Sequence, residues 1–392
     1  MTAHRHLTSP LQLRGQTLRN RIVFGAHTNN MSDQGIPGPR QGKYLLERAL
    51  GGAAMVVCEP VPAHRTGVLT RGNIAHESDA IIPHFRRITD EVKDAGAVIL
   101  QQIYHIGAHG DSDLSFQPHW SPSGGPSYHD SDGSHRMTVN EINEVLDAHV
   151  AAAVRAKACG FQGVEVWAAY HSLLDQFWTP WSNTRDDDWG GSLENRTRFS
   201  RTLIDRVRRD CGEDFIVGLA ISYAPSFPGA TLSTENLCEI VEMHDRTGHI
   251  DYVTVGFGGY LEFEGIIPAF TLGEKLTTPL TAQLKSIVKH AKITSEAGVR
   301  TPENAETILS AGEADLVSIV RGQIADPHLA NKVMEGRSED IRGCISCNQM
   351  CWGRRSRDYW ISCLINPSAG REFEWGGDRF STTASPRNVL VV

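Results

Sequence analysis

The segment "TVNEINEVLDAHVAAAVRAKACGFQGVEVWAA", Thr138 to Ala169, contains one complete unit of the pattern that decides the fold. Thr138 and Glu141 stand at the spacing of a capping box, and Gly160 follows at the point where the helical pattern stops. The short run "GVEVWAA" comes next, and its β-branched composition is typical of a buried parallel strand. The segment therefore predicts a helix followed by a buried strand.

The same alternation runs through most of the chain. A second helical pattern, "TPENAETILSAG", has Thr301 as N-cap, Pro302 at its first position and Gly312 beyond its end. Eight strand-then-helix units in this order predict an α/β protein with a (β/α)8 barrel over residues 1–340. A doubly wound sheet also alternates, but a count of eight favours a closed barrel. The predicted strands are "NRIVFGA", "AAMVVCEP", "AVILQQIYH", "GVEVWAA", "FIVGLAIS", "DYVTVGF", "HAKITSE" and "DLVSIVRG".

Composition excludes several classes of protein. The 392 residues carry a formal charge of -8, so no basic field is present to bind nucleic acid or an anionic membrane. No apolar run approaches the roughly 20 residues needed to span a bilayer. The first residues, "MTAHRHLTSPLQLRG", lack the apolar core of a secretory signal. We therefore expect a cytoplasmic protein with reduced thiols.

In such a barrel the chemistry lies where strands end and helices have not yet begun. The longest of these junctions, residues 106–137, is expected to arch over the mouth of the barrel. Its histidines are irregularly spaced, which favours solvated loop residues over metal ligands. They are His109, His119, His129 and His135.

Four of the eight cysteines lie close together near the end of the chain, at Cys344, Cys347, Cys351 and Cys363. A structural zinc site more often shows two Cys-x2-Cys pairs with a longer spacer. Three thiolates within eight residues suit one corner of a [4Fe-4S] cubane, with the fourth arriving from another loop. Residues 341–385 are thus predicted to hold an iron–sulfur cluster. The remaining cysteines, Cys58, Cys159, Cys211 and Cys238, are expected in the core.

An iron–sulfur cluster transfers one electron at a time, whereas most organic substrates give or take two. A flavin can convert between the two, because its half-reduced form is accessible. The barrel should therefore contain a flavin site.

Three stretches resemble the old yellow enzyme-like NADH:flavin oxidoreductase family, in the branch of trimethylamine dehydrogenase and 2,4-dienoyl-CoA reductase. They are "NTRDDDWGGSLENRTRF" from Asn183, "VRGQIADPHLANKVMEGRSEDIRGCISCNQMC" from Val320, and "SCLINPSAG" from Ser362. Matches of this length are specific, and the resemblance extends from about Leu11 to the end. It strengthens the prediction of a [4Fe-4S] cluster.

The resemblance implies FMN in the barrel mouth. Gln102 matches the residue that faces the polar edge of the pyrimidine ring, and its amide can both donate and accept. Arg321, at the end of the eighth predicted strand, matches the arginine that binds the FMN phosphate. Thr28 stands where trimethylamine dehydrogenase attaches FMN to a cysteine, so the FMN here should not be covalently attached. The other FMN contacts implied are Ala26, Ala297, Gly298 and Gly322.

Two departures from the family concern the flavin and the substrate. The usual arginine of the fifth strand, which stabilises the reduced ring, is replaced by Ala220. Either another cation substitutes for it, or the flavin potential falls. The fourth strand usually presents two residues three apart to the substrate. Aligned without a gap these are Trp167 and Tyr170, whereas a shift of one residue presents His171.

Two reactions follow from the resemblance. A reductase passes a hydride from the flavin to an activated C=C bond with a tyrosine as proton donor, but Ser172 stands in that tyrosine's place and is a far weaker acid. An amine dehydrogenase takes a hydride from a carbon beside nitrogen, and aromatic faces bind the methylated cation. Trp167 and Tyr170 suit that role, with Trp178 and Trp181 behind them or packed beneath the loop. Glu264 matches an acidic residue of the amine enzyme.

We therefore expect an oxidoreductase that oxidatively demethylates a small methylated amine. The alternatives are an NAD(P)H-dependent reductase of an enoate or 2,4-dienoyl-CoA, and an electron-relay subunit without turnover. An electron acceptor or donor is required in each case, and assembly into a homo-oligomer is left open.

The last residues, 386–392, form the expected start of a following domain. Val389 to Val392 resemble a buried strand before a dinucleotide-binding turn, and the resemblance implies FAD and NAD(P)H in that domain. A short terminal strand is the alternative.

Overall fold

The architecture is a closed barrel of eight parallel strands, seen in a computed structural model that describes residues 4–75, 77–110, 118–127, 133–376 and 383–391. The strands are β1 Leu11–Leu13, β2 Gln16–Leu18, β3 Ile22–Phe24, β4 Met55–Pro62, β5 Val98–Tyr104, β6 His119–Ser121, β7 Ser134–Arg136, β8 Gly163–Trp167, β9 Ile216–Tyr223, β10 Tyr252–Phe257, β11 Lys292–Ser295 and β12 Leu316–Ser318. The barrel runs β3-β4-β5-β8-β9-β10-β11-β12 and closes by the pairing of β12 with β3. The predicted (β/α)8 fold is confirmed.

Helices alternate with the barrel strands. They are α1 Pro39–Leu50, α2 Ile81–Asp94, α3 Val139–Ala158, α4 Leu173–Trp178, α5 Leu193–Arg196, α6 Arg198–Cys211, α7 Thr234–Asp245, α8 Phe263–Ile266, α9 Thr278–Ile287, α10 Pro302–Ser310, α11 Val320–Ala325, α12 Leu329–Met334, α13 Trp352–Arg355 and α14 Glu372–Trp375. Single 3-10 turns occur at Arg65–Gly67, Gly107–His109 and Ser338–Asp340.

The helix ends follow from the local sequence. The capping box of α3 is present: Glu141 N–H donates to Thr138 Oγ1 at 3.3 Å, and Thr138 N–H donates to Glu141 Oε2 at 2.6 Å. The turns that end α3 and α10 require a left-handed residue, and Gly160 and Gly312 supply it with φ of 87° and 72°.

The eighth strand is shorter than its sequence suggests. It ends at Ser318, and Arg321 lies in the first turn of α11, not at the end of a strand. The expectation that Arg321 terminates a buried strand was wrong, because the apolar run "DLVSIVRG" continues into helix without a polar break. This start of α11 nevertheless keeps Arg321 at the carboxyl rim of the barrel.

The amino end of the barrel is closed by the antiparallel hairpin of β1 and β2. Leu13 and Leu18 are buried there against the first residues of several barrel strands, among them Met55 and Val98. Apolar packing fills this end, so the space for a ligand lies at the opposite, carboxyl end.

The described parts of the loop, residues 106–110, 118–127 and 133–137, correct the prediction for two of its histidines. His109 and His119 are buried rather than solvated. His109 Nε2 lies 2.8 Å from His171 Nδ1, and His119 Nδ1 lies 3.1 Å from Thr66 O, so polar partners offset their burial. His135 is half-exposed beside Glu141, and His129 lies outside the described residues.

Residues 341–376 lie over the carboxyl rim. Asn366 Nδ2 donates to Ile324 O at 2.9 Å, and Ile361 N–H donates to Asn29 O at 3.0 Å. Further along, α14 is attached to α1 by a salt bridge between Glu372 and Arg48, whose side chains are 1% and 0% exposed. The cysteine segment is therefore held between the barrel rim and α1.

Beyond this segment, Val389, Leu390 and Val391 are exposed and not in a strand, so the buried strand expected there is not formed within the described residues. A buried strand requires neighbours for its backbone hydrogen bonds, and these residues have none in the described chain. None of the helices seen in the structure is long and apolar enough to cross a membrane.

We predict that Arg48→Met destabilises the fold by about 3–5 kcal/mol, because it leaves the carboxylate of Glu372 buried without its cation. Urea unfolding monitored by circular dichroism measures the change. The matched control is Arg206→Met, which removes a surface ion pair with Asp147 worth about 0–1 kcal/mol. Equal stability of the two variants would contradict the role of the buried pair.

Candidate active site

A cavity of about 210 Å³ opens at the carboxyl end of the barrel. Three other cavities in the described residues measure about 10 to 20 Å³ each, room for little more than a water molecule. The lining residues of the large cavity come from the ends of the barrel strands and from the C-terminal segment. This cavity is the candidate active site.

The floor of the cavity carries two carboxyl groups. Glu165 of β8 accepts hydrogen bonds from Gln102 Nε2 at 2.6 Å and from Thr254 Oγ1 at 2.8 Å. Glu296, directly after β11, accepts one from Ser318 Oγ at 2.6 Å. Burial raises the pKa of Glu296 to about 7, and the neighbouring Glu165 adds to the effect. Burial also raises the pKa of Glu165. Both groups therefore favour the neutral form more than an exposed glutamate does.

The hydrogen bond between Glu296 and Ser318 needs the space that a glycine leaves at residue 25. A Cβ on Gly25 would lie 2.3 Å from Ser318 Oγ and 2.5 Å from Glu296 Oε2. The backbone after β3 thus passes directly beneath the Glu296 carboxyl group, and no larger residue fits there.

One end of the cavity is cationic. Arg321 Nη1 donates to Asn348 Oδ1 at 2.7 Å, and Arg300 Nη1 donates to Ser346 Oγ at 3.0 Å. Beside them the backbone is left-handed at Ala297 and Gly298, with φ of 54° and 76°. A non-glycine residue in that region is uncommon and marks a locally constrained turn.

The residues after β8 settle which side chains face the cavity. Trp167 and Tyr170 line it, and the Tyr170 ring crosses to β10, where its hydroxyl would be 2.5 Å from a Cβ on Gly256. His171 points away: its Nδ1 lies 2.8 Å from His109 Nε2 and its Nε2 3.1 Å from Ser182 Oγ. Burial lowers the pKa of His171 to about 4, so the ring is neutral at pH 7.

Aromatic rings form the wall above Trp167. The Tyr104 and Trp167 ring centroids are 5.2 Å apart, and those of Trp167 and Tyr170 are 6.0 Å apart. Across the cavity, Phe263 lies 6.2 Å from Tyr260 and 5.1 Å from Trp352. The wall is therefore built by the barrel and by the C-terminal segment together.

The four clustered cysteines converge beside this cavity. Cys344, Cys347, Cys351 and Cys363 line one small cavity together with Arg321, and Cys351 also lines the large one. Thiolates around one zinc ion lie about 2.3 Å from it, hence at most roughly 4.6 Å apart. No group of three or more His, Cys, Asp or Glu residues in the described chain could hold such a single ion. The four thiols thus line one small cavity.

The comparison with protein families now decides the classification. The sequence model of the NADH:flavin oxidoreductase / NADH oxidase family matches residues 6–340. The chain belongs to this family.

Individual relatives agree with it. The chain is 32% identical to N,N-dimethylglycine/sarcosine dehydrogenase of Chromohalobacter salexigens, over 98% of this chain and 56% of that protein. It is 32% identical to the probable N-methylproline demethylase of Rhizobium meliloti, over 93% and 54%. The solved 2-naphthoyl-CoA reductase superposes with a TM-score of 0.90 at 28% identity, over 95% and 58%. The chain spans about half the length of these proteins.

The cavity of this NADH:flavin oxidoreductase fits FMN by the chemistry of its groups. Arginines at one end suit a phosphate. The amide of Gln102 and the hydroxyl of Thr254 on the floor suit the polar edge of a flavin ring.

Most residues singled out from the sequence lie together. The cavity is lined by Ala26, Thr28, Gln102, Trp167, Tyr170, Ala297, Gly298, Arg321, Gly322 and Cys351. His171 and Glu264 do not line it, and Glu264 is exposed. Trp178 is fully buried, where it donates to Ser200 Oγ at 2.9 Å, and Trp181 is 50% exposed, so neither belongs to the aromatic wall.

Sequence reasoning missed Glu165 and Glu296. The signal was available, because a charged residue within an apolar strand pattern must either pair or face a cavity. It also missed His27, whose Nδ1 donates to Gly25 O at 3.0 Å and whose Nε2 accepts from Tyr44 OH at 2.8 Å.

We predict that Glu296 makes stability pH-dependent. Between pH 4.5 and about 7 the folded protein retains a proton that the unfolded chain has released, so stability falls as pH rises through this window and then levels off. Glu296→Gln has no carboxyl group to ionise at this position. Its free energy of unfolding should therefore rise by about 1–3 kcal/mol relative to that of the wild type between pH 4.5 and pH 8. Urea midpoints at several pH values measure the difference. Glu239→Gln, at an exposed position, is the control; parallel curves for all three proteins would contradict the prediction.

Proposed function

We propose that this chain is an FMN- and [4Fe-4S]-dependent oxidoreductase that oxidatively demethylates a small methylated amine. The observation that carries the proposal is the aromatic wall. In it Trp167 and Tyr170 face the cavity from the end of β8, the fourth strand of the barrel. Aromatic faces attract a methylated ammonium group, by about 2 kcal/mol where water is excluded. Two of the relatives described above are named for reactions at N-methyl groups.

FMN, when bound, supplies a two-electron acceptor for a hydride from the N-methyl carbon. In the proposed site Arg321, with Arg300 beside it, binds the phosphate, and the backbone at Ala297, Gly298 and Gly322 completes that end. Gln102 holds the pyrimidine edge, and Ala26 and Thr28 line the cavity beneath. Thr28 has no thiol, so the cofactor is held without a covalent bond.

The arginine that the family usually has on the fifth barrel strand, here β9, is replaced by Ala220, and no other arginine of the described residues takes its place on the cavity floor. The arginines among the described lining residues are Arg300, Arg321 and Arg355, and all three lie outside the barrel strands. The floor presents Glu165 and Glu296 next to Ala220 instead. A carboxyl-lined floor stabilises negative charge poorly, which favours a lower flavin potential over a substitute cation.

The protein side chains have separable tasks in this reaction. Trp167 and Tyr170 orient the amine, and the apolar wall excludes water from it. Burial raises the pKa of Tyr170, so its hydroxyl is protonated and can donate a hydrogen bond to the substrate or accept one from it. The ammonium group first releases its proton to water, because the nitrogen lone pair must form the C=N bond as the hydride leaves. Water then adds to the resulting iminium ion, and the demethylated amine takes up a proton again. Each turnover consumes one water and releases formaldehyde, the demethylated amine, two protons and two electrons.

The cluster is proposed to carry these electrons onward, within residues 341–385. Cys344, Cys347, Cys351 and Cys363 would each supply one thiolate. Cys351 lines both cavities, as do Arg321 and Ile324, so it lies between the proposed flavin site and the proposed cluster site. The acceptor beyond the cluster would be a further domain or a separate protein.

A second candidate function is the reduction of an activated C=C bond. Ser172 cannot be its proton donor, because Ser172 is fully buried and its Oγ lies 3.4 Å from Trp167 O. The observation in favour is that two other tyrosines, Tyr170 and Tyr260, line the cavity and could supply the proton. The similar solved structure is named for such a reductase.

For the cluster, we predict about four iron atoms and matching sulfide per chain in anaerobically purified protein. Cys351→Ala should lose iron but keep FMN, because the proposed flavin contacts lie on other segments. Cys238→Ala, which removes a half-buried cysteine far along the chain from the cluster segment, should lose neither. Stoichiometric zinc without sulfide would refute the cluster.

For the reaction, we predict that methylated amines bleach the oxidised flavin under anaerobic conditions with release of formaldehyde. Trp167→Leu should weaken amine binding by about 1–2 kcal/mol, because it keeps apolar volume but removes the π-face. Trp181→Leu, outside the cavity, is the control. Tyr170→Phe should slow flavin reduction more than His171→Ala, since only Tyr170 faces the cavity. Reoxidation of the reduced protein by an enoate, with no bleaching by any amine, would favour the reductase instead.

A further inference from the structure

One buried arginine of the candidate active site, Arg355, has no side-chain partner for its guanidinium among the described residues. Arg355 is 9% exposed and lines the cavity, with its guanidinium 4.8 Å from the centroid of the Trp352 ring. Within the part of the chain that the structure describes, no salt bridge or side-chain hydrogen bond satisfies this guanidinium. By contrast Arg321 is bound to Asn348, and Arg300 to Glu274.

Burying a guanidinium without an anion is costly, and burial accordingly lowers the pKa of Arg355. The carboxylate of Asp358 acts on Arg355, but Asp358 is exposed and its Oδ2 lies 3.9 Å from Arg71 Nε. Tyr104, on the other side, already donates to Asn73 Oδ1 at 2.6 Å and accepts from Leu69 N–H at 3.0 Å. The protein itself therefore offers Arg355 no strong anionic partner.

Arg355 and Arg321 also differ in their surroundings. The small cavity that the four cysteines line includes Arg321 but not Arg355, and Arg355 interacts with Tyr260 and Tyr104 instead. Tyr104 packs on Trp167, the residue proposed to bind the substrate's ammonium group. Arg355 thus belongs to the substrate side of the cavity, and Arg321 to the cluster side.

We propose that Arg355 binds a carboxylate of the substrate, so that the enzyme's substrate class is small N-methylated amino acids and not simple methylamines. The planar fork of a guanidinium matches a carboxylate with two parallel hydrogen bonds. A zwitterion then meets both charges of the cavity, its ammonium group on the faces of Trp167 and Tyr170 and its carboxylate on Arg355. The inference rests on the proposed amine oxidation and specifies its substrate.

The test compares three compounds that differ only at the carboxylate. N,N-dimethylglycine is trimethylamine with one hydrogen replaced by a carboxylate, and its methyl ester keeps the size without the charge. With the holoenzyme, the flavin spectrum gives the affinity for each compound and stopped-flow reduction gives the rate. N,N-dimethylglycine should bind at least about 30-fold more tightly than the ester or trimethylamine, a ratio that corresponds to about 2 kcal/mol.

Variants of the protein test whether Arg355 causes this preference for the carboxylate. Arg355→Met should remove this preference by weakening the binding of N,N-dimethylglycine, with the FMN content unchanged, and Arg355→Lys should restore part of it. The matched control is Arg357→Met, two residues away, where the exposed side chain donates only to Gly353 O at 2.8 Å. It should keep the full preference.

Three results would overturn the inference: equal affinity of the wild type for the three compounds, an equal loss of affinity for all three in Arg355→Met, or loss of FMN from that variant. The wild-type comparison needs no variant, so it tests the inference even if Arg355→Met does not fold.

Failure of the proposed function is a separate outcome. If no amine reduces the flavin, but cinnamate binds more tightly than cinnamide and only while Arg355 is present, the carboxylate site stands and amine oxidation falls. If amines reduce the flavin without regard to charge, amine oxidation stands and the carboxylate site falls.

Discussion

The side chain of Asn348 joins the cysteine segment to the barrel, and the shape of the candidate site depends on this junction. It accepts a hydrogen bond from Arg321 Nη1 and donates one to Ile267 O, each 2.7 Å long. The two partners follow different barrel strands, β12 and β10. Asn348 has a φ of 56°, a left-handed conformation that asparagine tolerates better than most residues. Because this residue fixes the segment on the rim, Cys351, Trp352 and Arg355 become a wall of the barrel cavity.

This junction also explains why two arginines in one cavity have different partners. Arg321 is oriented by Asn348 towards the cysteines, where thiolates would offset its charge. Arg355 stands one turn beyond Cys351, on the opposite end of α13, and faces the tyrosines instead. The cavity is therefore divided by the same short segment into an end suited to phosphate and cluster and an end suited to substrate.

The sequence predicted the barrel well, because eight apolar β-branched runs separated by capped helices leave few other folds open. The four cysteines singled out from their spacing line one small cavity, and the cluster that they are expected to hold stays a prediction. The sequence could not identify Arg355. The stretch "GRRSRDYW" contains three arginines with nothing to distinguish them, and only the packing of the folded chain determines which one is buried. For a related reason the sequence left open which residues at the end of β8, the fourth barrel strand, face the substrate. Tyr170 and His171 both have φ of 61°, and this turn, invisible in the sequence, sends one side chain into the cavity and the other behind it.

The electrostatics of the floor and of the wall act together on the choice of substrate. Burial raises the pKa of both Glu165 and Glu296, which weakens the negative charge that the floor can set against Arg355. A simple methylated ammonium ion would add a second cation to a cavity that already holds one without a partner. A zwitterion adds no net charge, and an enoate adds the missing anion. If Arg355 binds substrate as proposed, its charge would select against simple amines. The choice between a zwitterion and an enoate would then depend on the aromatic faces of Trp167 and Tyr170, which attract the cation that only the zwitterion carries.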